Sequence, residues 1–233
     1  MSPLAKYLRD YFIYLSVLSL VFIPAFSTSP ASCSPSPKIY VAGYAMKGEE
    51  WNAGGRVMGQ IECVPVDGPS ADWCREHVTV VLSYSLGLFI EAGWLEKRGE
   101  VFLYVYYIRD DWVLNFVRVM DATVGHDYLI YICRIGTSDD YHIAFWDHTT
   151  NELLASFDLT DVLPYEPVDY QARVDTSSAE YDIDTSHFHN LRYKVGIRGG
   201  YVLWNSHTVI VDWPYYVEEI YDYEFNAWNT LYR

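Results

Sequence analysis

The sequence predicts an all-β protein in which two antiparallel sheets pack as a sandwich or jelly roll. Short apolar runs recur along the chain with turn residues between them, a spacing typical of sandwich strands and not of alternating strands and helices. Aromatic residues make up 17% of the chain, with 22 Tyr and 8 Trp, and such side chains favour half-buried sheet surfaces. A length of 233 residues fits one sandwich domain, so we expect no long helix after the N-terminal segment.

The predicted strands fill most of the chain after this segment. They are expected at 39–46, 56–64, 77–84, 87–94, 100–109, 112–120, 127–135, 141–147, 152–158, 170–176, 188–197, 200–205 and 208–212. Polar or glycine-rich stretches at 136–140, 147–151 and 198–200 predict hairpins. The connection at 158–167 is expected to be irregular with a short helical turn at its start, and the tail 215–233 is compatible with helix or strand.

The first 27 residues have the pattern of a signal peptide with a hydrophobic leader helix. Lys6 and Arg9 precede an uncharged run at 11–23, and small residues near its end suit cleavage after Ser27. The run is shorter than the roughly 20 apolar residues of a membrane-spanning helix. We therefore predict a cleaved signal peptide at 1–27, with a retained N-terminal membrane anchor as the alternative.

The segment that follows indicates an exported protein. Residues 28–38 are rich in Ser and Pro and predict an extended linker, which leaves 39–233 as a single β-sandwich domain. We expect the protein outside the cell or at the cell surface. Membrane contact is expected only through the N-terminal segment, if that segment is not removed.

The chain is strongly acidic. It has 31 Asp and Glu against 16 Lys and Arg, a formal net charge of −15. This charge repels phosphate backbones and anionic membrane surfaces. Nucleic acid is therefore not expected as a partner.

Four cysteines suit an exported protein. Cys63 and Cys74 flank a turn-rich loop that could bring their thiols together, so we predict a disulfide between them, with two buried thiols as the alternative. Cys133 lies inside the apolar run 128–135 and is predicted to be a buried free thiol. Cys33 falls in the predicted linker.

Glu91 is a single carboxylate inside the apolar stretch 89–94. Because successive strand residues point to opposite faces, Glu91 is expected on the face opposite Trp94. A carboxylate in such a strand indicates either a functional site or an ion pair, for which Arg109 and Arg118 are candidate partners.

Several blocks of the sequence, taken in order, have a known counterpart. They lie at 43–57, 59–65, 89–94, 104–107, 126–128, 145–146 and 188–193. Together they resemble the secreted concanavalin A-like β-sandwich proteins of the eqolisin type, the glutamic endopeptidases. The resemblance implies a jelly roll with a catalytic Gln on one strand and a catalytic Glu on a later one, both facing a cleft.

This chain departs from the family at the position of the catalytic Gln. The family motif Ile-Gln-Ala-Gly falls on residues 90–93, where Glu91 replaces the Gln, and the later Glu falls near Asp175 or on Glu180. A Gln amide donates a hydrogen bond to an oxyanion, whereas an ionised carboxylate only accepts. The resemblance therefore implies the family's cleft without its usual chemistry.

Two functions remain compatible with these residues. The first is a secreted or cell-surface module, non-catalytic, that binds a carbohydrate or peptide in an eqolisin-like cleft marked by Trp94, Tyr104 and Tyr106. The alternative is an extracellular hydrolase, an acid endopeptidase or a glycosidase, in which Glu91 and Asp175 form a catalytic pair.

No metal site or cofactor is predicted. His187 and His189 share one side of a strand, but the sequence shows no third ligand, and hydrogen-bonded surface histidines are the alternative. The acidic stretches 139–140 and 182–184 could hold a structural calcium ion, with solvated acidic turns as the alternative.

Overall fold

The computed structural model describes residues 38–47, 55–69, 72–194 and 199–232. The predicted leader at 1–27, the linker up to residue 37 and the first residue of the predicted hairpin at 198–200 therefore lie outside the described residues. Within the described ranges, no helix is long and apolar enough to cross a membrane.

The described residues form strands with one short 3₁₀ turn at the C-terminal end. In chain order the elements are β1 (Tyr40–Lys47), β2 (Arg56–Glu62), β3 (Val66–Asp67), β4 (Trp73–Ser83), β5 (Leu88–Lys97), β6 (Glu100–Ile108), β7 (Leu114–Asp121), β8 (Asp127–Arg134), β9 (Tyr141–Asp147), β10 (Glu152–Leu159), β11 (Asp169–Thr176), β12 (Asp182–Ile183), β13 (Ser186–Lys194), β14 (Tyr201–Leu203), β15 (Thr208–Val211), β16 (Tyr215–Tyr221), β17 (Glu224–Asn229) and the turn Thr230–Tyr232.

Two large antiparallel sheets build the domain. The first sheet has seven strands in the order β15-β1-β11-β4-β5-β6-β7. The second sheet has the order β10-β9-β8-β2-β13-β17-β16, with β14 paired to β13. The short strands β3 and β12 pair separately. The predicted all-β, two-sheet sandwich is confirmed, and the described residues from Ile39 onward form one compact unit.

Strand alternation places the core between the two sheets. On β5, Ile90, Ala92 and Trp94 are fully buried in the main core cluster. The second sheet contributes large apolar side chains to the same cluster, among them Ile61, Ile130, Phe145, Phe188 and Phe225. A smaller cluster of Leu95, Phe102 and Tyr104 is separate from this core and marks the opposite face of the first sheet.

The tail and one connection differ from the prediction. Residues 215–229 form the hairpin β16–β17, which settles the choice between helix and strand, because Val217, Phe225 and Ala227 alternate into the core. The segment after β10 contains no helical turn, since β10 itself continues to Leu159.

Cys63 and Cys74 are buried free thiols in place of the predicted disulfide. The loop between them joins the end of β2 in the second sheet to β4 in the first. Both thiols lie in the core, where burial raises their pKa values far above those of free thiols and leaves little thiolate for disulfide formation. Cys133, predicted to be buried, is a half-buried free thiol.

Candidate functional site

The candidate site lies on the outer face of the first sheet, the face directed away from the second sheet. Neighbouring strands carry its residues in register. A central row runs Gly43, Arg173, His77, Gly93 and Tyr104 across β1, β11, β4, β5 and β6. Residues directly opposite in an antiparallel pair have Cβ atoms about 5 Å apart. The row therefore brings distant parts of the chain into side-chain contact.

Two further rows flank the central one. On one side, Asp175 of β11 lies beside Arg75 of β4. On the other side, Thr79 of β4 lies beside Glu91 of β5, and Glu91 beside Tyr106 of β6. The two carboxylates predicted as a pair thus occupy different rows, with the central row between them.

Gly93 leaves the space through which these rows interact. A Cβ added at Gly93 would lie 1.9 Å from the backbone oxygen of Glu76 and 2.7 Å from the Cα of His77. Strands β4 and β5 therefore approach more closely than any side chain at this position permits. The absence of a side chain between Leu95 and Glu91 lets Arg75 reach Glu91 diagonally.

Four charged side chains form what we call the guanidinium–carboxylate network: Arg75, Arg173, Glu91 and Asp175. Arg75 bridges the two carboxylates, with Nη1 3.0 Å from Glu91 Oε1 and Nη2 2.7 Å from Asp175 Oδ2. Arg173 Nε lies 2.9 Å from Asp175 Oδ1. The Tyr104 hydroxyl donates a further hydrogen bond to Glu91 Oε1. The formal charges of the network cancel.

His77 lies beneath the network and is fully buried. Its Nδ1 is 2.7 Å from Thr79 Oγ1, and its Nε2 is 3.4 Å from Asp175 Oδ2. Desolvation lowers the pKa of His77 and outweighs the attraction of Glu91 and Asp175 for the imidazolium. The imidazole is therefore neutral at pH 7.

Burial and charge act in opposite directions on Asp175. Desolvation alone would raise its pKa, but Arg173, Arg75 and His77 together hold the pKa well below its usual range. Burial, followed by the charge of Glu91, raises the pKa of Tyr104 well above its usual value. Asp175 is thus a carboxylate, and Tyr104 a protonated phenol, throughout the physiological pH range.

His77, Glu91 and Asp175 are also a possible metal-binding group. Their donor atoms lie within 4.8 Å of one another, and the set of one imidazole and two carboxylates suits several divalent ions. A metal ion there would compete with the Arg75 guanidinium, which already bonds both carboxylates.

Aromatic rings hold the guanidinium of Arg75 in place. Its Cζ lies 4.8 Å from the ring centre of Trp73 and 5.8 Å from that of Tyr106, within the range of cation–π attraction. Tyr106 packs in turn against Phe116 of β7 at 4.8 Å between ring centres. The face thus combines cations with partly exposed rings.

The charges of the network are layered. The carboxylates are covered, with side-chain exposures of 2% for Glu91 and 0% for Asp175. The guanidinium groups lie above them, at 13% for Arg75 and 23% for Arg173. A ligand that binds this face therefore contacts the guanidinium groups before the carboxylates.

Most of the predicted site residues lie on this face. Glu91, Asp175, Tyr104 and Tyr106 are neighbours there. Trp94 differs: it is fully buried in the core on the opposite face of β5.

The arginine partners of Glu91 also differ from the prediction. Arg109 pairs with Asp111 and Asp161, and Arg118 pairs with Glu100 and Asp121. Sequence reasoning missed Arg75, His77 and Arg173. The alternation Arg75, His77, Thr79 at the start of β4 was the available signal, but the predicted strand began only at residue 77.

The other candidate ligands have protein partners. His187 Nε2 lies 3.0 Å from Glu224 Oε1, and His189 Nε2 lies 3.2 Å from Asp127 Oδ2. In the acidic stretch 139–140, Asp139 accepts a hydrogen bond from Arg134 at 2.9 Å.

Comparisons with known proteins concern the fold. No protein-family model and no curated protein matches the sequence. Among solved structures, scytalido-glutamic peptidase with a transition-state analogue inhibitor matches with a TM-score of 0.65 and 9% identity, over 82% of this chain and 98% of that one. A member of the eqolisin family of peptidases in complex with the tripeptide Ala-Ile-His matches with a TM-score of 0.60 and 8% identity, over the same shares of the two chains. This chain has the antiparallel β-sandwich fold of the eqolisin peptidases.

Proposed function

We propose that the protein is a non-catalytic β-sandwich module that binds an extended peptide on the outer face of the first sheet. The observation that carries this proposal is the bridge from Arg75 to both Glu91 and Asp175. The position where the resemblance implies a hydrogen-bond-donating amide holds a carboxylate, and a guanidinium neutralises that carboxylate.

Peptide hydrolysis needs a group that delivers a proton to the leaving amine. Asp175 does not serve, because its neighbours hold its pKa well below the usual range. His77 is neutral and fully buried beneath the network. Glu91 accepts bonds from Arg75 and Tyr104, so it offers no donor to an oxyanion. The face therefore supports recognition better than acid–base chemistry.

The choice of a peptide rests on the fold and on the exposed groups. Solved proteins with this fold hold a tripeptide and a peptide-based transition-state analogue. The exposed part of the face here offers guanidinium donors beside the rings of Trp73 and Tyr106, which suit carbonyl groups and apolar side chains. Trp94, one of the three rings predicted to mark the cleft, lies in the core.

A binding and cleavage experiment tests the proposal. The purified protein is incubated with a mixed peptide library and a polysaccharide panel from about pH 2 to about pH 7. Products are followed by mass spectrometry and binding by NMR. We expect peptide binding that shifts the Trp73 indole resonance, with no cleavage products. Binding of polysaccharides alone would make the ligand a carbohydrate and would contradict the peptide proposal.

A hydrolase remains the second candidate, since donor oxygens of Glu91 and Asp175 lie within 4.8 Å of each other. Retaining glycosidases place their two carboxyl groups about 5.5 Å apart. If the wild type cleaves a substrate and both Glu91→Gln and Asp175→Asn lose that activity, the hydrolase is correct and the binding module is wrong.

A further inference from the structure

We propose that the outer face selects peptides bearing a carboxylate, an acidic side chain or a free C-terminus, which Arg75 and Arg173 receive together. This inference rests on the proposed peptide-binding function and names the ligand class of the same site. Its basis is the layering of charge, the remaining donor capacity of the two arginines and their fixed orientation.

The layered network has its positive end toward solvent. Arg173 is the most exposed of the four charged groups, at 23%, and Asp175 beneath it is fully covered. Although the whole chain carries a formal charge of −15, charges beyond about 10 Å are largely screened at physiological salt. A ligand group in contact with this face therefore responds to the arginines.

Both arginines retain unused donors among the described residues. A guanidinium has five N–H groups. Arg75 directs Nη1 to Glu91, and both Nε and Nη2 to Asp175. Arg173 donates from Nη1 to Gln171 and from Nη2 to Asp175, and its Nε lies 2.9 Å from Asp175 Oδ1 without hydrogen-bond geometry. Each terminal nitrogen carries two hydrogens, so each arginine keeps one N–H on Nη1 and one on Nη2.

A carboxylate matches these donors better than a neutral carbonyl does. Its two oxygens accept parallel N–H bonds from guanidinium groups, at about 2.7–2.9 Å, and such charge-assisted bonds are roughly twice as strong as neutral ones. The network has no net charge before binding. A monoanionic ligand group therefore adds one negative charge beside the two partly exposed guanidinium groups of Arg75 and Arg173.

The arginines are already oriented in the absence of ligand. Arg75 lies against the rings of Trp73 and Tyr106 and bridges two buried carboxylates. Arg173 is fixed between Gln171 and Asp175. Pre-oriented side chains lose little conformational entropy when a ligand binds. A lysine-bearing ligand should gain nothing here, because the arginines cover the two carboxylates.

The test uses peptides that differ at one position. Sets with Glu, Gln or Lys at that position, and with a free or an amidated C-terminus, are titrated into the full-length protein by isothermal calorimetry. We expect at least a roughly tenfold preference for Glu over Gln, equivalent to about 1.4 kcal/mol. The preference should shrink when salt rises from about 0.02 M to about 0.2 M, because the arginines are partly exposed.

Variants then locate the preference. Arg173→Gln should remove the discrimination between Glu and Gln peptides, so that the two peptides bind the variant with the same affinity. Arg173→Lys, which keeps the charge but loses the planar fork, should retain part of the preference. Arg118→Gln is the matched control, because Arg118 lies on β7, separated from β11 by three strands, and contacts Glu100, Asp121 and the ring of Phe102. Arg118→Gln should change neither the affinity for the Glu peptide nor the affinity for the Gln peptide.

The outcomes separate this inference from the proposed function. Equal affinity for Glu and Gln peptides overturns the carboxylate preference and leaves peptide binding in place. No binding of any peptide overturns the proposed function itself. If Arg173→Gln unfolds, as judged by circular dichroism, Arg173→Lys and the wild-type peptide series still decide the question. A Glu preference that persists in Arg173→Lys at full strength and is lost in Arg118→Gln overturns the assignment to Arg173.

Discussion

The interpretation of Glu91 changes once its partners in the structure are known. In the sequence it is a carboxylate in an apolar strand. In the structure it is the covered end of an ion pair with Arg75, hydrogen-bonded to Tyr104. Removing one partner of a buried ion pair costs about 3–5 kcal/mol, because the other charge remains desolvated. The network is therefore a structural element of the sheet as well as a candidate site.

Asp175 is expected to stabilise the fold through its two arginine partners. Asp175→Asn leaves Arg173, and one arm of Arg75, without a counter-charge, so the free energy of unfolding should fall by about 3 kcal/mol. Urea denaturation at pH 7 measures it. Asp121→Asn, which affects an exposed pair with Arg118, should change stability by less than about 0.5 kcal/mol. Similar losses in both variants would contradict a stabilising role for the buried network.

The same residue predicts a loss of stability in acid. The folded-state pKa of Asp175 is depressed below the ordinary value of 3.8. Its contribution is therefore fully present above pH 3.8 and is lost as pH falls further. The wild type should lose stability relative to Asp175→Asn below about pH 4. Parallel stability curves for the two proteins in acid would rule this out.

Glu76 has the opposite dependence on pH. It lies in the core between the sheets and accepts a hydrogen bond from Ser186. Burial raises its pKa well above the ordinary value of 4.5. Its contribution is therefore fully present below pH 4.5 and is lost as pH rises, with a slope of up to about 1.4 kcal/mol per pH unit.

Glu76→Gln isolates this effect. An amide of the same shape does not ionise, so the variant should be relatively more stable than the wild type as pH rises from about 5 to about 8. Thermal unfolding across that range measures the difference. A constant difference between the two proteins would mean that Glu76 does not change its protonation there.

At the scale of the element, β4 and β5 determine the site. Their close approach at Gly93 allows side chains from three rows to meet. Gly93→Ala would force a Cβ against the backbone of Glu76 and should destabilise the protein by at least about 2 kcal/mol. Gly200→Ala, where an added Cβ meets nothing within 4 Å, should be nearly neutral. Equal effects in denaturant titrations would show that the two strands separate readily.

Much of the sheet structure follows from the sequence, whereas the site follows only partly. Alternation and turn residues locate strands such as β6 and β9 almost to the residue, because one face of each must be apolar. The partner of Glu91 depends on the register of β4 against β5 and on the gap at Gly93. Register is not visible in a single strand, so Arg109 and Arg118 were as reasonable as Arg75.

The tail and the cysteines show the same limit. Tyr215–Tyr221 carries both helical and alternating spacing, and only its pairing with β17 selects the strand. The loop between Cys63 and Cys74 is short enough for a disulfide, yet both residues are free thiols in the core. Both choices depend on which elements become neighbours, which local patterns do not specify.

At the scale of the molecule, the thiols predict insensitivity to reductant. Burial raises the pKa of Cys63 and of Cys74 far above that of a free thiol, so little thiolate is present to react. Dithiothreitol should leave the urea midpoint unchanged, and thiol reagents should label both residues only after unfolding. If Cys63 and Cys74 formed a disulfide, its reduction would instead lower the free energy of unfolding by about 2–5 kcal/mol.

The layered charges also mean that Arg75 decides whether this site binds an anionic group or a metal ion. Without Arg75, the donor atoms of His77, Glu91 and Asp175, all within 4.8 Å of one another, would lack the cation that bridges the two carboxylates. Arg75→Ala should therefore gain affinity for Zn²⁺, seen as a zinc-dependent rise in melting temperature that Arg75→Ala with His77→Asn lacks. The Arg75 guanidinium, which would bind the carboxylate of an acidic peptide, is thus also the group that prevents a transition metal from binding to these side chains.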